Sequence, residues 1–178
     1  MIKDIKLYNI PSKIKKISVI GASEPDEDQY NVAYELGKFL AKKNYVIVCG
    51  GRTGVMEAVC KGAKEVGGLT VGILPTLDES SANPYVDIRI PTGLGWLRNP
   101  LVVLASDKVI AIGGAYGTLS EISYAYMFEK DLVGYKTWDI VEKNFKDKEK
   151  FFKYLEEEFL KWNFLLGQVD TTIKIGLK

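Results

Sequence analysis

The sequence predicts a single doubly wound α/β domain, a mainly parallel sheet flanked by helices. Three observations carry this. Short runs of β-branched residues alternate with amphipathic helical stretches along the chain, the pattern of a parallel sheet covered on both faces. The runs end in glycine or proline turns, at Gly21, Gly50-Gly51, Pro75 and Gly113-Gly114. At 178 residues and 47% hydrophobic, the chain is long and apolar enough for a substantial core.

Residues 1–12 read as a short extension. Ile17-Ser18-Val19-Ile20 is the first strand and runs into Gly21-Ala22-Ser23. Over residues 26–43, Val32, Leu36, Phe39 and Leu40 recur at helical spacing. Residues 45–49 form the second strand, ended by Gly50-Gly51. Residues 54–66 form a helix closed by Gly67-Gly68. Residues 70–74 are the third strand, stopped by Pro75. Residues 76–85 are polar and read as a mobile loop at that strand end. Residues 86–90 alternate as a short strand, with Pro91 after it. A helix is predicted over 94–106, with Pro100 in its first turn. Residues 108–112 are a buried strand, 118–129 a helix and 132–135 a sixth strand. Residues 147–164 carry Phe151, Leu155, Phe159 and Trp162 at helical spacing, an amphipathic helix packed on the sheet or on a partner subunit. Residues 169–175 alternate like a short edge strand. The core spans about residues 17–138.

Composition narrows the chemistry. The net charge of +1 argues against a dedicated nucleic-acid surface. There is no histidine, so the usual general base and the commonest metal ligand are missing. Cys49 and Cys60 are not at metal-ligand spacing and read as buried free thiols. The charged N-terminus is unlike a signal peptide and no apolar run is long enough for a membrane span, so a cytoplasmic protein is expected.

The chain is organised around Gly113-Gly114-Ala115-Tyr116-Gly117-Thr118, between a buried strand and a helix carrying Glu121. Glycines let the backbone approach a ligand, and the first amides of a helix lack partners, so a phosphate is the expected guest. Thr118 adds a hydroxyl. Glu121, one turn in, would repel a phosphate and is expected to reach past it, to a sugar hydroxyl or a reacting centre. Ligands of such folds sit beyond the carboxyl ends of the strands. That brings Gly21, Ala22, Ser23, Gly50, Gly51, Thr53 and Pro75 towards the same cleft, with Gly50 and Gly51 open between ligand wall and structural turn. Arg98, near the start of the preceding helix, faces the cleft too. Neither glycine turn is a dinucleotide fingerprint, and no lysine follows as in a P-loop. A cation and a carboxylate beside a phosphate suit cleavage of a nucleotide's glycosidic bond, through an oxocarbenium-like transition state, and equally suit binding without turnover.

Several blocks in order resemble the Rossmann-like superfamily of LOG-type cytokinin-activating phosphoribohydrolases and molybdenum-cofactor carriers. They are Gly50-Gly51-Arg52-Thr53-Gly54-Val55-Met56-Glu57, Gly72-Ile73-Leu74-Pro75, Asn83-Pro84-Tyr85, Gly95-Trp96-Leu97-Arg98-Asn99 and Gly114-Ala115-Tyr116-Gly117-Thr118-Leu119-Ser120-Glu121. The resemblance implies that Arg98 and Glu121 are catalytic and that residues 113–118 bind phosphate. It implies release of a free base and ribose 5-phosphate from a nucleoside 5′-monophosphate such as AMP, with no cofactor or metal, in a homodimer or homotetramer. The sequence departs from the phosphoribohydrolase motif at three places. Gly113 replaces its proline. Ala115 replaces its second glycine, and the methyl is expected to crowd a phosphate or forbid a positive φ. Asn99 replaces the lysine after the arginine and joins the expected binding residues. These departures resemble the carrier branch, whose ligand is a phosphorylated pterin. A nucleotide-sensing module is the third reading. The lysine decarboxylase label attached to such sequences finds no supporting lysine context.

Overall fold

The computed structural model describes residues 14–161. The predicted N-terminal extension, Trp162 and the predicted edge strand at 169–175 lie outside them. Seven strands form one sheet: β1 (Lys16–Gly21), β2 (Val46–Cys49), β3 (Thr70–Leu74), β4 (Ile88–Pro91), β5 (Lys108–Ile112), β6 (Asp131–Tyr135) and β7 (Asn144–Phe145). The helices are α1 (Glu27–Lys42), α2 (Val55–Glu65), α3 (Asn99–Leu104), α4 (Tyr116–Met127) and α5 (Lys148–Tyr154).

The sheet order is β4-β3-β2-β1-β5-β6-β7, and every pair is parallel. The chain builds outward from β1 to β4, then returns to lay β5 on the other side of β1. The strand order therefore reverses between β1 and β5, where the crevice of a doubly wound sheet opens. The central strands are apolar on both faces. Ile17, Val19, Ile110 and Ile112 pack with residues of α1, α2 and α5, while Ile20, Val109 and Ala111 pack with residues of α3 and α4. Residues of one strand alternate between the two layers because successive side chains point to opposite faces.

Local sequence sets the boundaries. Asp26 accepts from the Gln29 amide and Gln29 returns the bond, a capping box that starts α1. α1 and α2 touch backbone to backbone, since a Cβ on Gly62 would stand 1.9 Å from the Tyr34 carbonyl oxygen. The predicted helix over 94–106 is divided. Gly95–Arg98 form a 3₁₀ turn and α3 begins at Asn99, because Pro100 fits only a first turn. β4 starts two residues later than predicted, since the chain still turns at Val86, whose amide donates to the Asn83 carbonyl. Pro91 ends β4 as its last residue, which an edge strand tolerates. The predicted mobile loop at 76–85 holds a 3₁₀ turn at Glu79–Ser81 and a buried Asn83 anchored by hydrogen bonds.

The predicted C-terminal helix starts at Lys148 and widens into a π-type turn at Leu155–Phe159. Phe151, Leu155 and Phe159 face the molecule's own core, where Phe151 meets Tyr135 and Phe145. Of the two predicted packings, the sheet is the one seen. Cys49 and Cys60 are buried and reduced, 3.6 Å apart. Among the described residues, no helix is long and apolar enough to cross a membrane.

Candidate functional site

A cavity of about 720 Å³ opens at the carboxyl ends of β1 and β5. One wall is the turn into α4. Gly113 and Gly114 have φ of +55° and +112°, which only glycine adopts without strain, and they turn the chain off β5. The Gly113 amide donates to the Tyr135 carbonyl, and the Thr137 hydroxyl donates to the Gly113 carbonyl. Ala115 is extended, with φ −107° and ψ −158°, so the expected backbone conflict does not arise, and the residue lines the cavity. α4 then begins at Tyr116, two residues earlier than predicted, with no side chain capping its first amides. Those donors, with the dipole behind them, are left for an anion. Thr118 is buried under the turn, close enough to Gly114 that a Cβ there would meet its side chain, and its hydroxyl has no partner among the described residues.

The floor is a buried ion pair. Arg98 Nη1 donates to Glu121 Oε1 at 3.3 Å, and Nη2 donates to the Gly50 carbonyl at 3.4 Å. The two residues are 5% and 7% exposed, and Arg98 Nε has no partner among the described residues. Burial pushes the Glu121 carboxyl up to about 7 despite the opposing pull of Arg98. Burial also holds Arg98 below the usual guanidinium range, with Glu121 pulling the other way. Since a guanidinium keeps its proton in proteins, Glu121 is the member that titrates. Asn99 ties α3 to α4, donating to Ser120 Oγ at 2.8 Å and to the Gly117 carbonyl at 3.4 Å.

Of the residues predicted from sequence, Gly21, Ala22, Ser23, Thr53, Pro75, Arg98, Asn99, Gly114, Ala115, Gly117, Thr118 and Glu121 line this cavity. Four do not line it. Gly50 lies behind the wall and holds Arg98. Gly51 packs against Gly72 and Leu74. Gly113 faces a smaller hollow shared with Lys136 and Trp138. Tyr116 is 81% exposed, its ring beside Trp138. Neither Gly50 nor Gly51 is part of the cavity wall. The cavity adds Glu24, Gln29, Arg52, Met56, Gly95 and Trp96, which sequence reasoning had not selected. Gln29 was detectable as the end of the Asp26 capping box, and Arg52 and Trp96 as members of the motif blocks. Among the described residues, no group of three or more Asp, Glu or Cys is placed to hold a metal.

A family model described as LDcluster4, the SLOG cluster4 family, matches residues 14–159. The chain belongs to the SLOG cluster4 family. This match takes in every strand and helix that builds the cavity. Beside it, an uncharacterized protein of Archaeoglobus fulgidus is 45% identical over 130 residues, 73% of this chain and 85% of that protein. The cytokinin riboside 5′-monophosphate phosphoribohydrolase of Mycobacterium tuberculosis is 32% identical over 108 residues, 59% of this chain and 58% of that protein. The solved molybdenum cofactor binding protein of Rippkaea orientalis is 38% identical with a TM-score of 0.67, over 80% of this chain and 85% of that chain. This SLOG cluster4 chain thus resembles both the hydrolases and the carriers anticipated from its motifs.

Proposed function

We propose that the cavity binds a nucleoside 5′-monophosphate and hydrolyses its glycosidic bond. The observation that carries this is the buried Arg98 and Glu121 pair on the floor of a cavity walled by an uncapped helix start. The phosphate takes the free amides of α4 and the Thr118 hydroxyl. The sugar then lies over Glu121. As the bond from C1′ to the base breaks, the base leaves with the electron pair and Glu121 stabilises the positive charge on the ribose. Water adds to C1′ and gives its proton to Glu121, which passes it on through solvent as the departed base takes one up, yielding neutral free base, ribose 5-phosphate and the restored carboxylate. Arg98, its Nε without a partner among the described residues, holds the carboxylate and faces the sugar. The reaction needs no cofactor or metal. The similarity to the mycobacterial phosphoribohydrolase supports this reading.

The test is incubation of the protein with AMP and other nucleoside monophosphates, following free base by chromatography with EDTA present. Base release is expected, with loss of at least about 100-fold in Glu121→Gln. Full activity in that variant would overturn the assignment.

A second reading, a carrier of a phosphorylated pterin such as the molybdenum cofactor, is favoured by Asn99, whose amide is spent on α4 and brings no cation to the floor. The 38% identity to the Rippkaea orientalis protein supports it. Nucleotide bound without base release, together with retention of a pterin phosphate in equilibrium dialysis, would select it.

We also propose that the protein is a cytoplasmic homo-oligomer. The terminal aromatic helix turns Phe151, Leu155 and Phe159 into the chain's own core. Leu97, Leu101 and Leu104, at helical spacing, are 76%, 38% and 49% exposed, and Met127 on the neighbouring α4 is 71% exposed; these apolar side chains are the candidate interface.

A further inference from the structure

Within two of the motif blocks, residues 51–54 and 83–85 have no task in the reaction above, and in the fold they meet. Asn83 is 6% exposed although it sits in a loop. Its Nδ2 donates to the Arg52 carbonyl at 2.8 Å, and its backbone amide donates to the Gly51 carbonyl at 2.8 Å. Its Oδ1 accepts from the Tyr85 amide at 3.1 Å, and the Tyr85 carbonyl accepts from Thr70 Oγ1 at 2.7 Å. The turn after β2 is thus clamped to the connection between β3 and β4.

What the clamp presents is Arg52. This side chain is exposed, lines the cavity and makes no ion pair or side-chain hydrogen bond among the described residues. The other arginine of the cavity is different: Arg98 is buried and held by Glu121 and Gly50. Arg52 is therefore the cation of this wall left for a ligand. Its planar fork of donors suits a phosphate or carboxylate.

Topology sets the separation. The phosphate turn closes β5 and the Arg52 turn closes β2, with β1 between them. Two strand spacings put these ends about 10 Å apart. The Arg52 side chain spans part of that distance, so a second acidic group across the body of the ligand from the first fits the spacing better than an adjacent phosphate.

We propose that Arg52 is a second anion subsite, and that the ligand is a bis-anion with a phosphate at residues 114–118 and another acidic group beyond its sugar or ring. A nucleoside 3′,5′-bisphosphate is the nearest simple probe. Asn83 is a positioning residue for Arg52. This deepens the nucleotide reading given above and rests on it.

Calorimetric titration with AMP, ADP and adenosine 3′,5′-bisphosphate tests the proposal. The bisphosphate is expected to bind about tenfold or more tightly than AMP, a preference that weakens with salt. Arg52→Gln should bring the two within about twofold while moving AMP affinity less than about threefold, and Arg52→Lys should retain part of the preference. Asn83→Ala should weaken the preference while leaving AMP affinity nearly intact. Because Arg52 is exposed, its variants are expected to fold even if the Asn83 variant does not. Equal binding of AMP and bisphosphate by the wild type overturns the subsite, as does an Arg52→Gln loss shared equally by both ligands. A preference for ADP over the bisphosphate overturns the spacing. Failure of every nucleotide to bind overturns the mononucleotide reading itself, and the subsite with it.

Discussion

Glu121 holds its proton more tightly in the folded chain than in the unfolded one. Between its ordinary value of 4.5 and its folded value of about 7, the native state carries a proton that the unfolded chain has released. Stability from this group is therefore full below about 4.5, declines as the pH rises through about 7, and then levels. Urea midpoints measured from pH 4.5 to 8 should fall for the wild type and stay flatter for Glu121→Gln. An equal decline in both proteins would assign the effect elsewhere. Asp28, held low by its bonds to Lys136 and Tyr135, works in the opposite sense, but at pH below its ordinary 3.8. The same residue scale explains what the sequence could not decide. Ala115 looked like damage to a phosphate motif, because a residue type does not disclose its φ. The positive φ angles fall on Gly113 and Gly114, so the substitution is conformationally free. Arg52 was passed over for a related reason: a charged residue in a turn looks like any solvated one until its surroundings are known.

At the scale of elements, α4 and the turn before it tolerate little change. A Cβ on Gly114 would stand 2.4 Å from Thr118 at a φ of +112°. Gly114→Ala is expected to cost about 1–3 kcal/mol in a denaturation curve and to weaken phosphate binding more than tenfold, because the free amides of α4 are re-aimed. Unchanged affinity for AMP in that variant would exclude the turn as the anion site. The strands and long helices were legible because apolar periodicity survives in sequence. β5 and its glycine turn stand out, and β1, β2, β3 and β6 follow the same pattern. What was illegible depends on contacts between distant residues. β7 is two residues long and exists only by pairing with β6. The anchoring of residues 76–85 depends on Asn83 reaching a turn that lies about thirty residues earlier in the chain.

For the whole molecule, the exposed apolar side chains of Leu97, Leu101 and Leu104, with Met127 on the neighbouring α4, argue for self-association. Light scattering after gel filtration should report a dimer or tetramer, and Leu104→Asp should shift it towards monomer without unfolding the chain. A monomeric wild type would remove the interface. The doubly wound plan itself was readable from alternation alone. The side on which each helix lies, and the residues that close the cavity, were not, since both follow from where the strand order reverses.

That reversal also sets an order of events in time. Ile17 pairs with Lys108, 91 residues away, and Gly21 pairs with Ile112. Pairings this distant form slowly, because a long loop must close before any contact rewards it. A nascent chain that has made β1 to β4 holds half a sheet with one flank of β1 open. The cavity has no second wall until β5 emerges and docks. The ligand therefore cannot template the first half of the protein, whose open flank on β1 must wait for β5 before any guest can be held.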